Sequence, residues 1–337
     1  MPRRLDHLSD DQLLGLRLRD LGVSWRRSWI AGVVRQVRRE LAARELRLDP
    51  HVWVSDEWFS PDGVPGVAIP FYLLHPRLVR LERKQVLQVE GGTRESALRI
   101  LRHEAGHAMQ HAFGLHRLKR WRELFGSGAQ PYPDFYQPNP ASRRYVIHLP
   151  YWYAQAHPAE DFAETFAVWL APGQRWRKRY AGWQALAKLE YVDELMRDLA
   201  GARAPVRSVA KIDPIERNEQ TLADYYAQKR GRFRIASTEI YDEDLLRVFA
   251  EPGRRPRGES AAGYLGRHKT RLRRRVARHT GKHELALDVV LGDMIARARE
   301  LGLRTHGSPR ALLVELAILL AARSVEYVYR AREWHAL

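Results

Sequence analysis

The five residues His103-Glu104-Ala105-Gly106-His107 constrain this chain more than any other stretch of it. Two imidazoles four positions apart converge only if the backbone between them is α-helical, because residues i and i+4 then share a face one turn apart. Such a pair can reach one tetrahedral ion. The intervening glutamate then stands beside the ion, where it can take a proton from water. The spacing is H-E-x-x-H, whose mechanical reading is a zinc site served by a carboxylate base. Ala97, Leu98, Leu101, Ala105 and Ala108 give the predicted helix an apolar face, so it is expected to be buried. A surface helix with two incidental histidines is the plain alternative.

A catalytic zinc site takes three protein ligands and keeps a fourth position for water. Downstream, His157-Pro158-Ala159-Glu160-Asp161-Phe162-Ala163-Glu164 opens a second predicted helix, with proline suited to the first helical position. Glu160 can complete a set with His103 and His107. Glu164, one turn further on, can accept a hydrogen bond from a ligand imidazole and fix its tautomer. The competing reading is an acidic first turn favoured by the helix dipole. The other common layout continues the motif to a glycine and a third histidine, but Gln110 and Phe113 occupy those places. His111 and His116 lie nearby in the wrong register, since three histidines at successive i+4 steps drift around the helix. His157 precedes its helix and is expected to cap or pack.

Together, the H-E-A-G-H run and Tyr153-Ala-Gln-Ala-His-Pro-Ala-Glu160-Asp-Phe-Ala-Glu-Thr-Phe-Ala167 resemble gluzincin-type metallopeptidases. More narrowly, they resemble a bacterial family of zinc-binding metallopeptidases, and the catalytic domain of anthrax lethal factor is a more distant likeness. The resemblance covers residues 93–113 and 153–170 and does not extend beyond about residue 200. It implies His103, His107 and Glu160 as zinc ligands and Glu104 as general base. It also implies Tyr153, seven residues before Glu160, as a group near the metal that stabilises the oxyanion, with Tyr151 and His148 as neighbouring candidates. Tyr151-Trp152-Tyr153 can equally be core aromatics. The chain departs from the family in one respect. Members often carry an N-terminal cysteine-type zinc ribbon, and this chain has no cysteine to build one.

The lack of cysteine also excludes disulfides and a thiol nucleophile, so any metal must be held by His and carboxylates. No stretch reaches the length of apolar sequence needed to span a membrane, and the N-terminus lacks an apolar signal core, so a cytoplasmic location is expected. The 57 Lys and Arg against 40 Asp and Glu give a formal charge of +17, a field that attracts nucleic acid, acidic proteins or anionic surfaces.

Along the chain, Ser9-Asp10-Asp11-Gln12 reads as a capping box and Trp25 to Arg44 as a helix with Trp29, Val33, Val34, Val37 and Leu41 on one face. His51–Phe59, Gly66–Leu74 and Gln85–Val89 read as strands of a small sheet. The run from Gly66 to Tyr72 is a candidate edge for binding peptide as an added strand. Thr93 is a candidate N-cap for the motif helix, which runs to about Phe113. A long irregular stretch from Gly126 to Pro150 follows, of the kind that is usually functional or mobile. Helices are expected from Pro158 to Ala171 and Trp183 to Leu199. Beyond Gly201–Pro205, further helices are expected over Asp242–Ala250, Ala261–Arg278, Leu285–Leu301 and Pro309–Trp334, with a basic linker at Gly253–Gly258. The densest basic run, Arg267–Arg278, matches no recognised nucleic-acid motif and has no interleaved stacking aromatics.

The expected fold is therefore α+β and mostly helical. A zincin-like catalytic domain with a small sheet occupies residues 1–200, with N-terminal helices over 1–48 and the catalytic part over 49–200. A linker region follows over 201–240, then an all-α basic domain over 241–337. The expected function is Zn2+-dependent hydrolysis of peptide bonds in a peptide or protein substrate. The alternative is a nucleic-acid-associated protein that uses the Arg-rich C-terminal helices to hold nucleic acid or an acidic partner. In that case the zincin domain acts on bound proteins or serves as a non-catalytic metal site.

Overall fold

The capping residues act where the sequence places them. Ser9 accepts from the Gln12 N–H and Gln12 accepts from the Ser9 N–H, opening α1 (Asp10–Leu14). That helix is short and stops at Gly15. The second expected helix also starts later than Trp25. Residues 25–27 form a separate 3-10 turn, and α2 (Ile30–Ala42) follows with Val33, Val34, Val37 and Leu41 buried. Trp29 stays at its margin, its indole N–H donating to the Leu73 carbonyl at 2.8 Å.

The computed structural model describes residues 5–133, 136, 138–231, 241–251 and 258–330, the side chains of 325–330 excepted. The fold is mostly helical α+β. Its sheet consists of two parallel strands, β1 (His51–Ser55) and β2 (Gly66–Pro70), with His51 opposite Gly66 and Ser55 opposite Pro70. The expected strand at Gln85–Val89 is corrected. α3 (Pro76–Val86) runs into it, because Leu78, Leu81, Glu82 and Val86 are buried at the i, i+3, i+4, i+8 spacing of a helix, and Leu87 ends the run at φ 66°. The expected extended run to Leu74 likewise ends at Pro70 and becomes a 3-10 turn. Nor does β2 offer a free edge for a peptide along its length. All five of its residues are buried, and the Ala68 N–H donates to the Phe59 carbonyl at 2.8 Å.

The described residues divide into two compact units, 5–84 with 89–225, and 85–88 with 226–330. In the first, α4 (Arg94–Phe113) packs against α2 and β2. After α5 (Lys119–Phe125), α6 (Pro158–Leu170) packs against α4. α7 (Trp176–Arg179) and α8 (Ala185–Asp198) follow, and α8 packs on α6. Residues 201–225 pack within this unit. Val206 N–H donates to Ala112 O, the Trp53 indole to Ile212 O, and Leu222 N–H, which opens α9 (Leu222–Gly231), to Leu16 O.

The second unit is built from α10 (Asp242–Val248), α11 (Ala261–Thr280), α12 (Glu284–Glu300) and α13 (Pro309–Arg330). Its core joins Leu245, Leu272, Leu287, Leu291, Leu316 and Leu320. The basic linker expected at Gly253–Gly258 lies outside the described residues except at Gly258, as does the expected helix beyond Arg330. Among the described residues, no helix is long and apolar enough to cross a membrane.

Candidate metal centre

Thr93 accepts a hydrogen bond from the Ser96 N–H and starts α4, and Gly114 ends it in the left-handed conformation at φ 63°. Every residue from His103 to Ala112 is buried. This helix is central and enclosed, so its polar residues have to find partners inside the protein. The partners come from α6, whose residues are all buried. His157 caps α6 as expected. Its Nδ1 accepts from the Ala159 N–H at 3.1 Å, and its Nε2 donates to the Gln130 carbonyl at 3.0 Å.

The two helices come close because one residue between the histidines is glycine. A Cβ on Gly106 would lie 2.9 Å from the Ala163 Cα and 3.1 Å from its carbonyl oxygen. The second variable position of H-E-x-x-H is thus a contact point for the helix that carries Glu160.

Across that contact, His103 Nε2 lies 3.0 Å from Glu160 Oε2, and His107 Nε2 lies 3.1 Å from both Glu160 Oε2 and His103 Nε2. The three residues form a group able to hold a metal ion. Ligands around 2.0–2.1 Å from a tetrahedral ion stand about 3.3 Å apart, so this triangle of donors needs to open by only a few tenths of an ångström to hold zinc. Charge points the same way. Three carboxylates, Glu104, Glu160 and Glu164, are buried with His103 and His107, an arrangement that favours a cation among them. The donor set, two nitrogens and an oxygen, is one that zinc accepts.

The supporting contacts fix the donors. His103 Nδ1 faces Glu164 Oε1 at 2.9 Å, and the other Glu164 oxygen accepts from the Leu149 N–H at 2.8 Å. A cation taking the place of the proton between Nε2 and Glu160 would leave the Nδ1 proton on Glu164 and the Nε2 lone pair free to ligate. Burial works against charge on His103, but Glu160 and Glu164 outweigh it and raise its pKa to about 10. Burial would likewise raise the Glu160 carboxyl, yet the His107 charge and the hydrogen bonds from both imidazoles hold it well below the ordinary range. Glu104 behaves oppositely. Burial lifts its pKa, the two imidazoles only partly offset this, and its Oε2 has no hydrogen-bond partner among the described residues.

Of the remaining candidates, Tyr153 is buried with its ring 5.6 Å from that of His103, and burial keeps its phenol protonated well above the usual range. It follows Tyr151 and Trp152, two successive non-glycine residues at φ 63° and 53°, an uncommon backbone that turns the chain toward the site. His148 donates from Nε2 to the Arg99 carbonyl at 2.9 Å, and burial lowers its pKa to about 4. His111 faces Asp62, 3.5 Å from its Nε2, and is not among the clustered donors.

Sequence reasoning missed Tyr132. Its hydroxyl donates to Glu160 Oε1 at 2.7 Å, and its ring stacks on His157 with centroids 3.9 Å apart. It comes from the stretch Gly126–Pro150, where the only signal was the length and composition of the loop. Pro131-Tyr132-Pro133 has no periodicity to tie it to α6.

Residues 83–179 match a family model described as "Putative zinc-binding metallo-peptidase". The matched segment contains the three clustered donors together with Glu104, Tyr132, Tyr153 and Glu164. No curated protein and no solved structure matches the chain.

Proposed function

We propose that this chain is a zinc peptidase of the gluzincin type, with His103, His107 and Glu160 as ligands. The observation that carries the reading is the convergence of three donor atoms from α4 and α6 within 3.0–3.1 Å, with the buried Glu104 beside them. Zinc held by these residues supplies a Lewis acid that makes water acidic near neutral pH.

The chain's own residues do the rest. Glu104, raised by burial, accepts the proton of the attacking water as its oxygen bonds to the peptide carbonyl carbon. Glu104 then gives that proton to the amide nitrogen as the C–N bond breaks. Tyr153, kept protonated by burial, donates a hydrogen bond to the oxyanion that develops on the carbonyl. Glu164 holds His103 in the tautomer with Nε2 free. Tyr132 occupies Oε1 of Glu160 and leaves Oε2 facing the imidazoles.

An intact Glu104 argues against a purely structural metal site, which has no use for a base one residue from its ligand. The test is zinc content by elemental mass spectrometry alongside hydrolysis of an unfolded protein substrate. Wild type and Glu104→Gln should each carry about one zinc, Glu160→Ala should lose it, and only wild type should hydrolyse. Wild type that takes up no zinc after reconstitution refutes the reading.

A further inference from the structure

A groove of about 840 Å³ runs along the second unit between α11 and α13. One wall is Tyr264, His268, Arg271, Arg275 and His279, and the other is Arg310, Val314, Ile318 and Ala321. The steps are 4, 3, 4, 4 and 4, 4, 3, the spacing by which a helix presents one continuous stripe. The α11 stripe is about 22 Å long at 1.5 Å per residue, the length of a helix of four turns. α12 packs against both walls but contributes no residue to the groove, and among the described residues no other element covers the face away from it. The Tyr264 hydroxyl donates to the Pro309 carbonyl at 2.7 Å and ties the walls together at one end.

The floor is hydrocarbon, from Leu272, Val276, Leu313 and Ala317, and two of its aliphatic neighbours are exposed in mid-helix. Val314 is 56% and Ile318 65% exposed, one turn apart on α13. Large aliphatic side chains clustered in a concave surface mark an interaction site rather than ordinary exposure. The charge is one-sided. α11 contains no acidic residue. Toward α12 its cations are neutralised, with Lys269 paired to Asp288 and Arg273 to Glu284 and Asp288. On the groove side, Arg271, Arg275 and Arg310 have no carboxylate partner among the described residues.

We propose that the α11–α13 groove is a docking site for an amphipathic helix of a partner protein whose apolar ridge is flanked by Asp or Glu. The helical stripes on both walls suit a third helix seated between them, and the unpaired guanidiniums select its flanking charge. A phosphodiester backbone would meet the hydrocarbon floor, and the Tyr264 ring is too buried to stack a base. A second copy of this chain would bring the same three arginines against themselves.

The experiment titrates the full chain with a labelled peptide of roughly 18 residues that carries Leu at positions a and d and Glu at the flanking positions e and g. A matched peptide carries Lys in place of Glu. The Glu peptide is expected to bind at micromolar concentration, and the Lys peptide about tenfold or more weaker. Ile318→Glu and the pair Arg271→Glu with Arg275→Glu should each weaken Glu-peptide binding by about tenfold or more, with an unchanged thermal midpoint showing that the fold is kept. No binding, equal binding of both peptides, or indifference to Ile318→Glu overturns the proposal. So does a dimer abolished by Ile318→Glu, or binding of vesicles of phosphatidylglycerol and phosphatidylcholine that depends on Ile318 when the peptide does not bind. The readout is binding and not hydrolysis, so its failure leaves the peptidase reading standing.

Discussion

Replacing Glu164 by Gln exchanges one oxygen for an NH2 group and leaves the shape of a fully buried side chain unchanged. Its consequences follow from counting donors. Two N–H groups point at the two Glu164 oxygens, Nδ1–H of His103 at 2.9 Å and the Leu149 N–H at 2.8 Å. Gln offers one acceptor. If that oxygen stays with Leu149, the new NH2 faces Nδ1 and draws a lone pair there. The His103 proton then moves to Nε2, the atom 3.0 Å from Glu160 that has to ligate. If the amide turns the other way, the Leu149 N–H is left buried without a partner at about 1–3 kcal/mol. The expected outcome is a 10- to 100-fold loss of zinc affinity, roughly 1.4–2.7 kcal/mol. Competition against a zinc-binding chromophore measures it, and thermal unfolding in excess chelator reports the fold separately. A zinc Kd within about twofold of wild type, with the fold intact, refutes the claim that Glu164 sets the His103 tautomer.

Three further outcomes are expected. Gly106→Ala gains about 1 kcal/mol of helix propensity but drives a methyl to 2.9 Å from the Ala163 Cα, so α4 and α6 must separate; calorimetry should show a net loss of about 1–2 kcal/mol, and a stabilised protein contradicts the packing argument. Tyr132→Phe removes the hydrogen bond to Glu160 Oε1 from a side chain that is 54% exposed, and chelator competition should show zinc affinity reduced by about three- to tenfold with little change in melting temperature. Asp193 accepts from the Trp169 indole at 2.9 Å and from Arg177 and Arg197 at 2.6 and 2.7 Å. Burial opposes its charge, but these contacts win and depress its folded-state pKa below the ordinary value. Its contribution is therefore fully present above about pH 4 and disappears as pH falls through the lower folded value. Asp193→Asn should cost about 1 kcal/mol at pH 7 and flatten the acid limb of stability against pH in urea titrations.

The sequence made the candidate metal-binding cluster legible because helical spacing converts chain position into direction. His103 and His107 four apart, and Glu160 and Glu164 four apart, each state which face their helix has to present. The caps at Ser9, Thr93 and His157 were legible for the same local reason. Where local signals competed, the sequence misled. Gln85–Val89 looked extended, but Leu78, Leu81, Glu82 and Val86 are buried at helical spacing and carry α3 into it. Tyr132 was out of reach because no periodic rule relates an irregular loop to a helix 28 residues further on.

What the sequence determined by itself is the chemistry: which side chains can donate to an ion, which carboxylate can serve as base, and that no thiol takes part. What only the tertiary structure decided is how these groups meet. The approach of α6 to α4 at Gly106, the acceptance of two donors by Glu164, the turn of His111 toward Asp62 and the reach of Tyr132 to Glu160 are all contacts between segments distant in the chain. The same holds for the groove between α11 and α13. Local spacing fixes directions on one element, whereas a site is made where several elements pack, and packing depends on shape and burial across the whole unit.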